Sequence, residues 1–300
     1  MNRRRRFLLQ AALGLLPAAA LAQRPAPRRI GLLSLDDPEP YAGCLRDAMK
    51  GDAVLDVRSA GGKADVLNKL ALELVRGKAQ VMVAHEAPAV AAAGNASSTL
   101  PIVMAPGDRL AAPNITGIAG NSALIAAKML DHIREVRSRM RRIAVLANRN
   151  DPFTKSFLAP LQEAANRMRL GLGVALVADA AQMERAFAEW DKLRVQAVVV
   201  QPSLPRNRAI ELAARYGMPS VSPSRSFVEA GGLMSYAHDP VDLARKSAGF
   251  IARLLGGAKA KDLPVEQATS FELALNLKTA GALGLELADT LLARVDVIVQ

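Results

Sequence analysis

Cysteine is almost absent from this chain, since Cys44 is its one thiol among 300 residues. A single thiol excludes an intramolecular disulfide, so buried apolar surface must hold the folded state together. A chain of this length can bury enough surface without cross-links, and it is long enough for two domains. We interpret Cys44 as a small buried apolar residue rather than as a reactive thiol.

Catalytic motifs are missing as well. The three histidines, His85, His132 and His238, lie in unrelated segments without the spacing of a metal site. No G-x-S-x-G segment occurs, and no G-x-G-x-x-G loop follows the first predicted strand. These absences argue against serine hydrolases and against dinucleotide or P-loop chemistry. We therefore predict no enzymatic activity, no catalytic residue, no cofactor and no metal. His132, in the middle of a predicted helix, is expected at the surface.

Positive charge is in excess but is not concentrated. The net charge is +11, and it falls to +7 when the four arginines at 3–6 are removed. The cationic residues are scattered along predicted helices, which is not typical of a nucleic-acid-binding surface. The one cluster follows a predicted helix, where cations complement the helix dipole, although an anionic docking patch is an alternative. Its members are Arg134, Arg137, Arg139, Arg141 and Arg142.

The amino-terminal 22 residues have the pattern of a cleaved secretory signal peptide. Four arginines precede a short apolar stretch, and Ala20-Leu21-Ala22 supplies the small residues of a cleavage site. The apolar stretch is too short to span a bilayer. Residues 4–8 fit the twin-arginine export pattern, and ordinary Sec export is the alternative. Because Gln23 rather than cysteine follows the site, we expect a free, soluble periplasmic protein without a lipid anchor.

Buried strands and amphipathic helices alternate through the rest of the chain. This order predicts parallel sheets covered by helices on both faces, in two Rossmann-like α/β units joined near residues 114–121. The predicted strands are 29–35, 54–57, 80–84 and 101–104 in the first unit, and 143–147, 172–177, 197–200, 219–221 and 233–235 in the second.

The tail contains too few elements for a third unit. A helix is predicted over 240–255, followed by the segment 263–266, a strand over 271–275 and two short helices. The economical arrangement returns the helix to the first unit and sends the last strand to the second. We therefore predict lobe 1 from residues 23–120 and 240–262, lobe 2 from 121–239 and 263–300, and several chain crossings that form a hinge.

Polar residues cluster after the predicted strands, where open α/β sheets bind their ligands. Turn formation is the alternative reason for these residue types. Because the candidates converge on one edge of the sheets, we expect two facing lobes to enclose a small polar solute. The candidate ligand-binding residues are Ser34, Asp36, Glu86, Ala87, Asp108, Asn148, Gln201, Ser203, Ser222, Tyr236 and Asp239.

Several segments resemble a known family. Residues 224–236, Ser-Arg-Ser-Phe-Val-Glu-Ala-Gly-Gly-Leu-Met-Ser-Tyr, are similar to ABC transporter substrate-binding proteins of the type that includes tryptophan- and tyrosine-binding members. Further matches are 99–104, 114–117, 142–148, 262–267, 271–273 and 276–280. The resemblance runs from about residue 30 to the carboxyl terminus. It implies the type I periplasmic-binding fold, in which two hinged lobes clamp a ligand.

The sequence departs from that family at the expected rim of the ligand pocket. His85-Glu86-Ala87 replaces small glycine or threonine residues, and residues 201–204, Gln-Pro-Ser-Leu, replace a turn of Gly-Asp-Pro character. The segment after the first strand is also shorter, because residues 45–49 run almost directly into Gly51. We expect these changes to alter which ligand is bound.

The resemblance implies a monomeric receptor that delivers a small molecule, an amino acid among the candidates, to an inner-membrane ABC permease. Signalling to a membrane sensor is the alternative. A repressor is excluded because the signal peptide stands where a DNA-binding motif would be required. Asp239 or Asp36 is expected to pair with a ligand ammonium group. Ser34, Ser203 and Ser222 are expected to hold a carboxylate.

Overall fold

The computed structural model describes residues 27–51, 53–107, 112–137 and 139–300. The predicted signal peptide and Asp108 lie outside these residues. The longest described helix has 16 residues, and no described helix combines the length and apolarity needed to cross a bilayer.

The first unit alternates strands and helices as predicted. Four of its five described strands are buried along most of their length because a parallel sheet is covered on both faces, whereas the edge strand at Ala53–Ser59 is only partly buried. In chain order its elements are β1 (Arg28–Ser34), α1 (Tyr41–Ala48), β2 (Ala53–Ser59), α2 (Leu67–Arg76), β3 (Val81–His85), α3 (Ala87–Ala96), β4 (Ile102–Gly107) and β5 (Ile115–Ala119).

The second unit repeats the pattern and is followed by the tail. Its elements are α4 (Ser122–Glu135), β6 (Arg142–Asn148), α5 (Thr154–Arg167), β7 (Gly171–Val177), α6 (Ala180–Lys192), β8 (Ala197–Val200), α7 (Arg206–Arg215), β9 (Ser220–Ser222), α8 (Arg225–Glu229) and β10 (Met234–His238). The tail comprises α9 (Pro240–Leu255), β11 (Val265–Gln267), β12 (Phe271–Asn276), α10 (Leu277–Ala282), α11 (Asp289–Leu292) and β13 (Val297–Val299).

Two separate sheets organise these elements. The first has the order β11-β5-β4-β3-β1-β2 and the second has the order β13-β12-β10-β9-β8-β6-β7. All neighbouring strands are parallel except β10 and β12, which are antiparallel. One part of the predicted division is wrong: residues 265–267 pair with β5 in the first sheet rather than joining the second. This short Val-Glu-Gln strand has no apolar pattern that could have assigned it.

The chain passes between the sheets three times within residues 112–300, after β5, after β10 and after β11. Hydrogen bonds tie these crossings together, since the Ala268 amide donates to the Ala119 carbonyl at 2.9 Å and the Asp239 amide donates to the Ser270 carbonyl at 3.1 Å. The multi-crossing hinge predicted from the tail is therefore present.

Each sheet has an apolar core on both faces. In the first, α9 packs with α1 on one face, around Phe250 and Leu45, while α2 and α3 cover the other. In the second, Met129 of α4 lies in the core of one face, and Phe187 and Trp190 of α6 pack in the core of the other. The surface position predicted for His132 is wrong, because its side chain is buried in α4 beside Tyr236.

Candidate functional site

The carboxyl ends of the two sheets border one cavity of about 290 Å³. This cavity is small for a ligand site but large enough for a metabolite. The first unit contributes residues from the loops after β1 and β3, and the second contributes residues from the ends of β6, β8, β9 and β10. Its charged, imidazole and aromatic walls include Asp36, Tyr41, His85, Glu86, Asp151, Phe153, Phe157, Arg225 and His238.

A second space of about 160 Å³ continues from this cavity, and we call it the annex. The two share Ala87, Ser122 and His238 among their lining residues. The other walls of the annex are mostly apolar and include Ile125, Ala126, Met129, Phe157, Pro160 and Leu161. A ligand in the cavity can therefore extend an apolar group between α4 and α5.

Five of the predicted ligand-binding residues line the cavity: Asp36, Glu86, Ala87, Gln201 and Ser203. Five others do not: Ser34, Asn148, Ser222, Tyr236 and Asp239. The remaining one, Asp108, lies outside the described residues.

Contacts elsewhere account for four of the five that do not line it. The Ser34 hydroxyl lies 3.4 Å from Nδ1 of His85, and the Asn148 side-chain amide donates to the Ser203 carbonyl at 2.9 Å. Asp239 accepts a hydrogen bond from the Val241 amide at 2.9 Å and so caps α9. Tyr236 lies inside β10, which is longer than predicted, and stacks on Phe271 with ring centroids 5.7 Å apart. Ser222 is buried within β9.

The assignments of Asp239 to a ligand ammonium group and of Ser34 and Ser222 to a ligand carboxylate stay predictions, although none of the three residues lines the cavity. Asp239 is engaged at the start of α9, and both serines are buried at the ends of their strands. Loop chemistry, the alternative reason for such residues after strands, explains Asp239.

A buried carboxylate organises the rim of the second unit. Asp151 is 5% exposed and accepts hydrogen bonds from Nε2 of Gln201 at 2.7 Å, from Oγ of Ser203 at 2.6 Å and from the Phe153 amide at 2.8 Å. Oε1 of Gln201 in turn accepts from the Asn148 amide at 2.8 Å. The polar residues predicted here therefore hold two loops together, and Gln201 and Ser203 present only part of their polar atoms to the cavity.

Glu86 has no such partners among the described residues. It follows β3 at the amino end of α3, with φ 73° and ψ 156°, and its side chain makes no capping hydrogen bond. This backbone conformation is almost confined to glycine, and non-glycine residues that adopt it are concentrated at functional sites. Burial, followed by the negative charges of Asp36 and Asp151, raises the pKa of Glu86 to about 7.

Two neutral histidines lie near Glu86. Burial lowers the pKa of His238 to about 4, and burial together with the proximity of His238 lowers the pKa of His85 to about 4. The His85 ring stacks on Tyr41 with centroids 4.7 Å apart. Nε2 of His238 is shielded from solvent and has no hydrogen-bond partner among the described residues. No group of three or more potential metal ligands occurs in that part of the chain either.

An ion pair joins the two units across the mouth of the cavity. Nη2 of Arg206, at the start of α7, lies 3.0 Å from Oδ1 of Asp36, and the two side chains are only 22% and 18% exposed. We call this pair the latch. Nearby, a Cβ added to Gly62 would lie 4.0 Å from the Ser203 carbonyl, so the loops of the two units are almost in contact. Asp36 thus pairs with a cation of the protein itself, instead of being free for a ligand ammonium group.

Sequence reasoning missed several cavity residues. Tyr41, Phe153 and Phe157 lie at helix starts rather than directly after strands, and His238 ends a strand that had been predicted to stop at Ser235. The i, i+4 spacing of Phe153 and Phe157 would place both on one face of α5, and it is the one signal that could have identified them.

Comparison with known proteins agrees with this geometry. Residues 45–299 match the family model of ABC transporter substrate binding proteins. No curated protein sequence matches the chain. Among solved structures, a conserved domain protein from Vibrio cholerae aligns with TM-score 0.77 and 20% identity, over 90% of this chain and 99% of that one.

Two further structures bear on the fold. The ABC domain in complex with L-Trp from Streptococcus pneumonia aligns with TM-score 0.77 and 18% identity, over 91% of this chain and 100% of that one. A periplasmic binding protein/LacI transcriptional regulator from Alkaliphilus metalliredigens, complexed with D-xylulofuranose, aligns with TM-score 0.61 and 13% identity, over 82% and 97%. The fold is that of type I periplasmic binding proteins.

The family match spans most of the chain, and it includes the hinge, the second sheet, and the first sheet apart from β1 and the cavity loop that follows β1. Proteins of this family are periplasmic, and they bind substrates for transport rather than transforming them. The chain belongs to the ABC transporter substrate-binding protein family.

Proposed function

We propose that this protein captures a small molecule between its two lobes in the periplasm and delivers it to an inner-membrane ABC transporter. The observation that carries the proposal is the cavity itself, because its walls come from strand ends of both sheets. A ligand there contacts both lobes only when they are closed. It therefore binds the closed state more tightly and shifts the population toward it.

The construction of the hinge supports this mechanism. Three crossings connect lobes that each have their own apolar cores, so the lobes can rotate without loss of their packing. The latch connects a loop of the first lobe to the start of α7 in the second. Amino acids are the first solute class to test, because the structurally similar Streptococcus pneumonia domain has L-Trp bound.

A solute that binds the cavity should raise the melting temperature of residues 23–300. At 100 times its dissociation constant, a ligand adds about 2.7 kcal/mol to the free energy of unfolding, which is roughly 5–10 °C for a chain of this size. A thermal-shift screen of amino acids, amines, carboxylic acids and sugars, after refolding to remove bound ligand, measures this shift.

Two tryptophan variants test whether the shift comes from the cavity. Ser122 lines both the cavity and the annex, so Ser122→Trp should abolish the shift. The matched variant Arg185→Trp, at an exposed position of α6, should retain it. A panel that gives no shift at all, or an equal shift in both variants, contradicts the proposal.

A further inference from the structure

Most of the carboxylates that line the cavity have a partner among the described residues of the protein, and one does not. Five carboxylates line the cavity: Asp36, Asp37, Glu39, Glu86 and Asp151. Asp36 pairs with Arg206, Glu39 pairs with Arg46 at 3.1 Å, Asp37 accepts a hydrogen bond from the Glu39 amide at 3.1 Å, and Asp151 accepts three hydrogen bonds. Glu86, at the boundary with the annex, is the carboxylate without a recorded partner in the described chain.

The lining cation among the described residues is already paired with carboxylates of the protein. The one guanidinium in the cavity wall belongs to Arg225, whose Nε lies 3.0 Å from Glu229 and whose Nη1 lies 3.3 Å from Glu272. Arg206 is held by Asp36. His85 and His238 are neutral at pH 7, because burial lowers the pKa of each to about 4. Among the residues that the structure describes, a ligand carboxylate would therefore lie near several carboxylates, and the cations beside it are already paired within the protein.

The annex favours an apolar group on the ligand. Its walls are mainly aliphatic and aromatic, and it joins the cavity at Ala87 and His238, next to Glu86. The unpartnered Nε2 of His238 lies at this junction and can accept a hydrogen bond from a ligand N–H. A ligand that satisfies both spaces carries a cationic head and an apolar body.

We propose that the cavity selects an amine with an apolar body and no carboxylate, with its ammonium group against Glu86 and its body in the annex. This proposal rests on the proposed function, because it names the solute class for the same cavity. The strained backbone of Glu86 supports it, since no helix cap or internal ion pair explains why a charged side chain is held in a conformation suited to glycine.

Three probes with one apolar body separate the charge requirements: phenethylamine, phenylalanine and 3-phenylpropionate. Titration calorimetry at pH 8 should give the tightest binding to phenethylamine, at least tenfold tighter than to phenylalanine. Binding of 3-phenylpropionate should be weaker still. Equal or tighter binding of either carboxylate-bearing probe would overturn the proposal.

Replacing the carboxylate tests the role of Glu86. Glu86→Gln should weaken phenethylamine binding tenfold or more, whereas Glu163→Gln, on the exposed face of α5, should leave it unchanged. Unaltered affinity in Glu86→Gln contradicts the assignment. If that variant does not fold, the comparison of the three probes on the unmodified protein still decides the proposal.

The pH dependence provides an independent readout. Glu86 must be ionised to pair with an ammonium, so phenethylamine affinity should rise about tenfold from pH 6 to pH 8 and a proton should be released on binding. Of the groups around Glu86, the two histidines stay neutral over this range, and Asp36 and Asp151 keep their partners within the protein. Affinity that falls over this range would indicate that protonated Glu86 binds an acceptor, and would overturn the proposal.

The solute panel distinguishes failure of the amine proposal from failure of the proposed function. If an amino acid or sugar binds in the cavity and phenethylamine does not, the amine proposal fails and the proposed function stands. If no solute of any class binds, both fail.

Discussion

Replacing Gly117 with alanine is expected to prevent the first sheet from forming normally. Gly117 lies in β5 with φ 122°, opposite Met104 of β4. A Cβ at this position would lie 2.4 Å from the Met104 carbonyl oxygen and 2.7 Å from its amide nitrogen. Both atoms belong to the backbone of a central strand, so they cannot move without breaking the ladder. We expect a loss of about 3–5 kcal/mol in the free energy of unfolding.

This substitution should lower the melting temperature by roughly 10 °C or more, or leave the protein insoluble. Gly249→Ala is the matched control, because Gly249 lies on the exposed face of α9 and an added Cβ there meets no atom within 4 Å. That variant should be stabilised by about 0.5–1 kcal/mol, the helix-propensity difference between glycine and alanine. A Gly117→Ala protein that melts within 2 °C of the unmodified protein, roughly 1 kcal/mol or less, would contradict the β4–β5 geometry.

Removing the Asp151 carboxylate is expected to have the second largest effect. Asp151→Ala leaves two buried donors, on Gln201 and Ser203, and the partly buried Phe153 amide without their shared acceptor. Hydrogen bonds to an ionised group are stronger than neutral ones, and unsatisfied buried donors add a desolvation cost. We expect a loss of about 2–4 kcal/mol, seen as a melting temperature roughly 5–15 °C lower.

Two variants make this measurement specific. Asp151→Asn keeps an acceptor for the Phe153 amide and should lose less stability than Asp151→Ala. Asp191→Ala, at an exposed position near the end of α6, should change the free energy of unfolding by less than about 0.5 kcal/mol. If Asp151→Ala is as stable as Asp191→Ala, the carboxylate does not organise the rim.

The sequence predicted the sheets better than the cavity, for a physical reason. Strands such as β3 and β8 are continuous apolar runs, so burial on both faces is visible locally. β11 is a three-residue edge strand that depends on pairing with β5, and the extension of β10 to His238 depends on its antiparallel partner β12. Neither segment carries a sequence pattern that predicts a strand.

Within the cavity, the sequence predicted where several polar residues lie, but it did not predict which residues they contact. Asp36 and Arg206 are 170 residues apart, and nothing local relates a turn aspartate to the first residue of a distant helix. Glu86 was identified by its place after β3. Its left-handed backbone was not foreseeable, because a glutamate gives no signal for a conformation that normally requires glycine. The contacts between the lobes could therefore be identified only from the structure.

The latch allows closure itself to be measured. Arg206→Ala removes the cation that joins the lobes, and a partly buried pair of this kind contributes about 1 kcal/mol, or roughly a fivefold change in the open-to-closed ratio. Arg208→Ala, two residues along the same helix, removes ion pairs to Glu184 and Glu211 that lie within the second lobe. The first variant should open the lobes and the second should not.

The most direct test of the account is the distance between the lobes, measured by electron-spin resonance with labels at Lys69→Cys and Asn207→Cys in a Cys44→Ser background. Both label sites are exposed, one on α2 and one on α7. We predict that a solute identified by thermal shift narrows the distance distribution toward the closed form and reverses the opening caused by Arg206→Ala. A solute that binds tightly and leaves the distribution unchanged in both proteins would contradict capture between the lobes.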